Sequence, residues 1–154
     1  MFSTTFKEML LMQIPSRSNF VVTSWDQSEY DTPTDGPALG RATVKKDYSG
    51  DLDGSGVAEL LSCRSSDSEA GYVASERITG TLGNRTGTFV VQHGATQNGD
   101  HFHLFGYVVP GSGTGDFVGI TGLATFRHDE NGAIFSLDYE VPDPVGDELE
   151  AEEE

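Results

Sequence analysis

From residue 19 onward, apolar and polar residues alternate in short runs, and the runs are separated by glycine, asparagine, aspartate and serine. A period of two is the mark of half-buried β-strands, and helical periodicity is weak beyond residue 15. The pattern predicts eight strands, near 19–25, 39–48, 56–64, 70–80, 86–94, 101–109, 119–128 and 133–141. Residues 1–18 read as an N-terminal extension with one helical turn around "TFKEMLLM". A long connection, "DQSEYDTPTDGPA", follows the first strand; the other links are mostly short, which makes chain neighbours antiparallel.

Turn chemistry supplies register. Asn131-Gly132 is a strong hairpin signal because tight hairpin turns need positive φ. Centring the turn there pairs His128 with Phe135 and Phe126 with Leu137, and puts Ala133, Phe135, Leu137, Tyr139 and Val141 on one face. Asn98-Gly99 gives a second turn, pairing His93 with Leu104 and Phe89 with Val108. Eight antiparallel strands with one apolar face each close naturally into a β-barrel, which leaves no exposed edge; a two-sheet sandwich is the alternative. A barrel of this size is filled by side chains or holds one small ligand. The expected organisation is an all-β barrel domain over 19–142 with an acidic tail over 143–154.

The length of 154 residues suits one domain with a core large enough to need no staples. Cys63 stands alone, which fits a reducing compartment, and the opening segment has Glu8 where a secretory signal would be apolar. A cytoplasmic location is therefore expected. The net charge of −16 excludes the basic faces that nucleic acids and anionic membranes select. Part of that charge is the like-charge run "DPVGDELEAEEE", which is expected to be solvated and disordered.

Several candidate sites fail their own chemistry. The glycine-dense stretch Gly111–Gly122 lacks both the Gly-x-Gly-x-x-Gly spacing ahead of a helix and the Gly-Lys-Ser/Thr of a phosphate loop, so it reads as a strand–turn–strand corner. His101 and His103 share a strand face, but His93 is on the opposite one, and no carboxylate follows at a useful spacing; no metal and no cofactor are expected. "NRT" at 84–86 matches a glycosylation sequon by chance, and no serine lies on a nucleophile elbow.

One constellation survives. Ala42, Val44, Lys46 and Tyr48 share a face; so do Val57, Glu59, Leu61 and Cys63, and so do Tyr72, Ala74, Glu76 and Ile78. Matching apolar faces pairs Tyr48 with Val57 and Val57 with Ile78, which sets Lys46, Glu59 and Glu76 in one row across three strands. Two carboxylates and one ammonium inside a barrel predict that one glutamate has a raised pKa and can serve as an acid or base. Glu59 and Glu76 are thus the candidate catalytic residues; Lys46, Tyr72 and His93 are the candidate ligand-binding ones, with His93 one layer away. A structural Lys46–Glu59 pair with Glu76 turned outward is the competing reading. Val90, Gln92, Phe105 and Tyr107 cluster on the outer face, where aromatics suggest burial in a homo-oligomer.

The segments "FVVTSWDQSEYD", "GRATVKKDYSGDLDGSG", "YVASERITGTLGNRTGTFVVQHGA", "VVPGSGTGDFVGITG" and "LDYEV" resemble a bacterial family of unknown function built on the allene oxide cyclase barrel. The resemblance covers Asn19 to Val141, with Gly83-Asn84-Arg85 where a Gly-Gly-Arg type turn belongs. It implies an eight-stranded antiparallel barrel with a small lumen and self-association, and no settled activity. Three readings follow: a barrel binding a small apolar or mixed-polarity molecule, an isomerase or cyclase using a buried glutamate, and a structural or interaction module with a filled lumen. A lumen well below about 300 Å³ would favour the last.

Overall fold

Eight strands follow one another in chain order around a closed barrel, each antiparallel to its neighbours, with the first closing against the last. They are β1 (Ile14–Asp31), β2 (Leu39–Gly50), β3 (Leu52–Ser66), β4 (Glu69–Leu82), β5 (Arg85–Asn98), β6 (His101–Val108), β7 (Thr121–Asp129) and β8 (Gly132–Glu140). The computed structural model describes residues 13–143. The expected helical turn near the N-terminus and nearly all of the acidic tail lie outside these residues.

β1 departs most from expectation. It begins inside the anticipated extension, where Ile14–Asn19 pair with Tyr139–Ile134 of β8, and it continues through Asp31 along β2. Residues 26–31 looked like a loop because both faces are solvent-exposed there, so no alternation marks them. Ladder hydrogen bonds to β2 hold them extended instead.

Turn positions in the two signalled hairpins are shifted by one residue. Asp129 pairs with Gly132 around Glu130-Asn131, and Asn98 pairs with His101 around Gly99-Asp100. The positive φ falls on Gly132 (107°) and Gly99 (62°), never on the asparagines. The Asn131 amide instead donates to Asp129 Oδ1 at 2.7 Å, a side-chain mimic of a backbone turn. Moving a turn centre by one shifts every pair by two, so each residue keeps its predicted face. His93 faces Gly106 rather than Leu104, yet it still points inward.

The glycine-dense stretch is more than a corner. β6 and β7 share one ladder pair, Tyr107 with Leu123. Between them, residues 109–120 run alongside the edge of β5 that β6 leaves and bond to it: Val109 N donates to Val90 O at 2.8 Å and Thr114 N to Thr88 O at 2.8 Å. Thr88 N donates to Thr114 Oγ1 at 3.1 Å and Thr86 N to Asp116 Oδ2 at 3.0 Å. A short 3₁₀ turn, Gly115–Phe117, then drops Phe117 and Ile120 into the core, where both are buried. Gly113 is required by the close approach, since a Cβ there would overlap the Phe117 carbonyl. The stretch is a plug that seals one end of the barrel.

The interior therefore has two halves. Near the plug, Leu52, Ile78, Leu82, Phe89, Phe117 and Leu137 fill the lumen, with Phe89 and Phe117 edge to face at 5.1 Å. Toward the other end the inward positions become small, with Ala42, Ala58 and Ala74 among them, and the walls stay apart. On the outside, Phe105 covers Gly94, whose Cβ would meet the ring at 2.6 Å. That gives this outer aromatic an intramolecular role, shielding a bare stretch of sheet.

Candidate functional site

A cavity of about 1120 Å³ occupies the half of the barrel away from the plug. Its walls carry the small residues Ala38, Gly40, Ala58, Ala70, Gly71 and Ala95. A register shift between Val22 and Ser24 of β1 turns Trp25, Gln27 and Glu29 toward this space, which strict alternation from Phe20 would not do. Trp25, Phe102 and Leu104 form an apolar rim. Lys46, Tyr72, His93 and Phe126 face the cavity from its floor.

Strand pairing brings the charges together. Val44, Ala58, Glu76 and Val91 lie in one row across β2–β5, and Lys46, Gly56, Ile78 and Phe89 in the next. Ala42, Leu60, Ala74 and His93 make the row on the other side. Lys46, Glu76 and His93 thus climb one row per step, and Gly56 leaves room for them to meet. A Cβ at Gly56 would overlap Glu76 Oε2 and stand 3.0 Å from the Tyr48 ring.

Glu76 is the hub, 0% exposed. Lys46 Nζ donates to its Oε1 at 2.8 Å, and the Tyr48 hydroxyl donates to its Oε2. His93 Nε2 lies 3.1 Å from Oε1, and His93 Nδ1 lies 3.0 Å from the Tyr72 hydroxyl. The carboxylate only accepts, so Nε2 carries a ring proton; in the neutral ring Nδ1 is then bare, and Tyr72 O–H donates to it. Lys46 Nζ also sits 4.2 Å from the centre of the Phe126 ring and 4.8 Å from that of Phe20, a favourable place for a cation. Among the described residues no buried side-chain polar atom lacks a partner, as a stable buried network requires.

Burial by itself would push the Glu76 carboxyl upward. The hydrogen bonds from His93, Lys46 and Tyr48, with the Lys46 charge, outweigh it and hold the group below its ordinary 4.5. The expected raised glutamate pKa is therefore corrected: Glu76 is the shared acceptor of three donors. Burial is also the main influence on His93 and pulls it below the ordinary 6.5, against the pull of Glu76. Burial, then the Glu76 charge, pushes Tyr72 up to about 12, so it stays a neutral hydroxyl.

Glu59 is the second correction. It is exposed on the outer face, where Thr43 Oγ1 donates to its Oε1 at 2.6 Å. Lys46 pairs with Gly56 and Glu76 with Ala58, so the predicted row across β2, β3 and β4 does not form. The β2–β3 offset from expectation is three residues and the β3–β4 offset is one. Both are odd, and an odd offset flips a strand. β3 points Gly56, Ala58 and Leu60 inward and leaves Val57 and Leu61 outside, 45% and 43% exposed. The structural Lys46–Glu59 pair is likewise not formed. Tyr72 and His93, expected as ligand-binding residues beside the row, hydrogen-bond into the cluster, while Tyr48, Phe20, Phe126 and Trp25 were missed as site residues. Tyr48 had a signal, since it shares the alternating face of Lys46. His101 and His103 are exposed and on the opposite face from His93.

Both buried groups make acid destabilising. His93 binds its proton less well folded than unfolded, so its contribution is complete above 6.5 and declines as pH falls toward its folded value. Glu76's contribution is complete above 4.5 and is lost as pH falls through its lower folded value. The urea midpoint is expected to drop in two stages, the first setting in as pH falls below 6.5 and the second below 4.5, and His93→Gln to remove the first. A midpoint that stays flat through the upper stage in the parent protein would contradict the buried neutral imidazole.

Among the described residues no helix is long and apolar enough to cross a membrane, and no group of three potential ligands is arranged to hold a metal ion. No curated protein matches the chain. A crystal structure of a protein with unknown function from the DUF3224 family of Shewanella oneidensis MR-1 superposes with a TM-score of 0.76 at 28% identity, over 84% of this chain and 98% of that one. Residues 16–140 match the family described as protein of unknown function (DUF3224), and the chain belongs to that family.

Proposed function

We propose that this barrel binds a small, largely apolar molecule in its open half. The observation that carries the reading is the cavity of about 1120 Å³, walled by alanine and glycine and rimmed by Trp25, Phe102 and Leu104. Such a volume is slightly above the roughly 300–1,000 Å³ of small-molecule sites and far above what a filled lumen leaves. Small residues at inward positions have a cost, since they forgo the packing that the plugged half enjoys; a cavity lined this way is consistent with room kept for a guest. The polar floor would orient that guest by a few hydrogen bonds. Glu76 itself has no exposed surface, so a guest would meet Lys46, Tyr72 and His93 before it met the carboxylate.

Trp25 is the sole tryptophan and faces the cavity, which makes it a built-in reporter. Titration with the uncharged dye Nile red is expected to quench Trp25 and to shift the dye emission to the blue. Ala95→Phe, which places a ring in the lumen, is expected to weaken dye binding by about tenfold or more through overpacking of the occupied site. Saturable binding lost in that variant supports the reading. Absence of binding, or binding indifferent to Ala95→Phe, would end it.

A further inference from the structure

We propose that the lumen takes an apolar molecule bearing one carboxylate, held between Lys46 Nζ and the Tyr72 hydroxyl, and that His93 gains one proton as the head group arrives. This rests on the lumenal reading above and specifies its ligand class.

The inference starts from a count of charge. Lys46 and Glu76 already neutralise each other at 2.8 Å, and His93, which burial pulls below 6.5, is neutral at pH 7. A second anion brought to this floor would leave one uncompensated negative charge among side chains with little solvent contact, where such a charge is costly. Lys46 is 7% exposed and His93 3%, so solvent screening is slight. Proton uptake by His93 restores neutrality: Glu76 and the ligand head against Lys46 and His93.

The hydrogen bonds can follow that change without moving a residue. With His93 neutral, Tyr72 O–H donates to Nδ1, and the hydroxyl shows the cavity only lone pairs. Once Nδ1 carries a proton, it donates to the Tyr72 oxygen, and the hydroxyl hydrogen is free to turn toward the cavity. Tyr72 then donates to the head group, alongside an N–H of Lys46 that Glu76 does not use. The site is thus a poor match for a carboxylate with His93 neutral and a good one with His93 charged.

Every element packed on His93 bears on this. β4 brings Glu76 and Tyr72, β2 brings Lys46 and Tyr48, and β7 brings the uncharged Phe126 ring at 4.1 Å. β6 opposes it with Gly106, which has no side chain. Arg64, Arg127 and His128 also line the cavity. A head group held by those residues instead would require no proton at His93.

Dansyl-undecanoic acid and its methyl ester separate the possibilities when titrated into the full chain. The acid is expected to bind about tenfold or more tighter than the ester near pH 6, as a charge-assisted pair implies. Its affinity should fall by up to about tenfold per pH unit above that, while the ester stays level. Calorimetry of the parent protein in buffers of different ionisation enthalpy should register uptake of about one proton with the acid and none with the ester. His93→Gln, which keeps a donor for Glu76, should lose both the uptake and the preference for acid. Equal affinity for acid and ester, or a preference for acid without proton uptake, overturns the inference and leaves the lumenal reading in place. Failure of both probes to bind overturns the two together.

Discussion

Glu76→Leu is expected to destabilise the barrel by about 3–5 kcal/mol, the usual consequence of removing one member of a buried ion pair. Leucine has a suitable size, so packing is not the main loss. The loss comes from what remains. The Lys46 amine is left among Phe20, Phe126 and the lumen wall without a counter-ion, and Tyr48 O–H and His93 Nε2–H lose their acceptor. A buried donor left unmatched costs about 1–3 kcal/mol. Combining Glu76→Leu with Lys46→Met removes the orphaned amine and is expected to recover much of the stability, because well-packed apolar replacements of buried pairs are often close to neutral. Urea denaturation of the two variants measures both numbers. A loss under about 1 kcal/mol in the single variant would mean the cluster is wetter than its geometry indicates.

Phe117→Ala has the second large expected effect, also about 3–5 kcal/mol, the range for truncating a fully buried aromatic. Phe117 is 0% exposed and stands edge to face against Phe89, so alanine removes both the burial and the aromatic contact. The effect should have a location as well as a size. Residues 109–120 are tied to β5 by separate hydrogen bonds at Val109, Ser112, Thr114 and Asp116 and anchored in the core by Phe117 and Ile120, so losing one anchor should open the plug before the barrel. Amide exchange of Thr88 and Thr114, whose N–H groups join plug and β5, is expected to quicken more than that of Ala42 or Val44 in β2. If the stretch were only a loose turn, the variant would cost little and exchange at Thr88 would be unchanged.

Gly113 and Phe117 show how far the glycine motif could be read from sequence. The missing lysine and helix ruled out a phosphate loop. Nothing local says that Phe117 folds back along β5, because that depends on strands placed by other parts of the chain. The charge cluster divides the same way. Lys46, Tyr72, Glu76 and His93 stand out as polar residues on otherwise apolar faces, and two of the three faces in the proposed row were legible. β3 was not. Its inward side is Gly56, Ala58 and Leu60, and its outward side is Val57, Glu59 and Leu61. A hydrophobicity pattern prefers the second set for the core, yet the lumen needs the first, because the Lys46–Glu76 pair crosses over Gly56.

The sequence by itself determined that the chain is a succession of antiparallel strands, which face of most strands is buried, and, to within one residue, where the two signalled hairpins turn. Each of these depends on side-chain period and on the φ preferences of a few residues, both local properties. The tertiary structure alone decided the pairing offsets, the flip of β3, the bulge that turns Trp25 to the lumen, and the plug. Those are set where distant strands meet, and an offset of one residue there carries Glu59 from the lumen to the solvent.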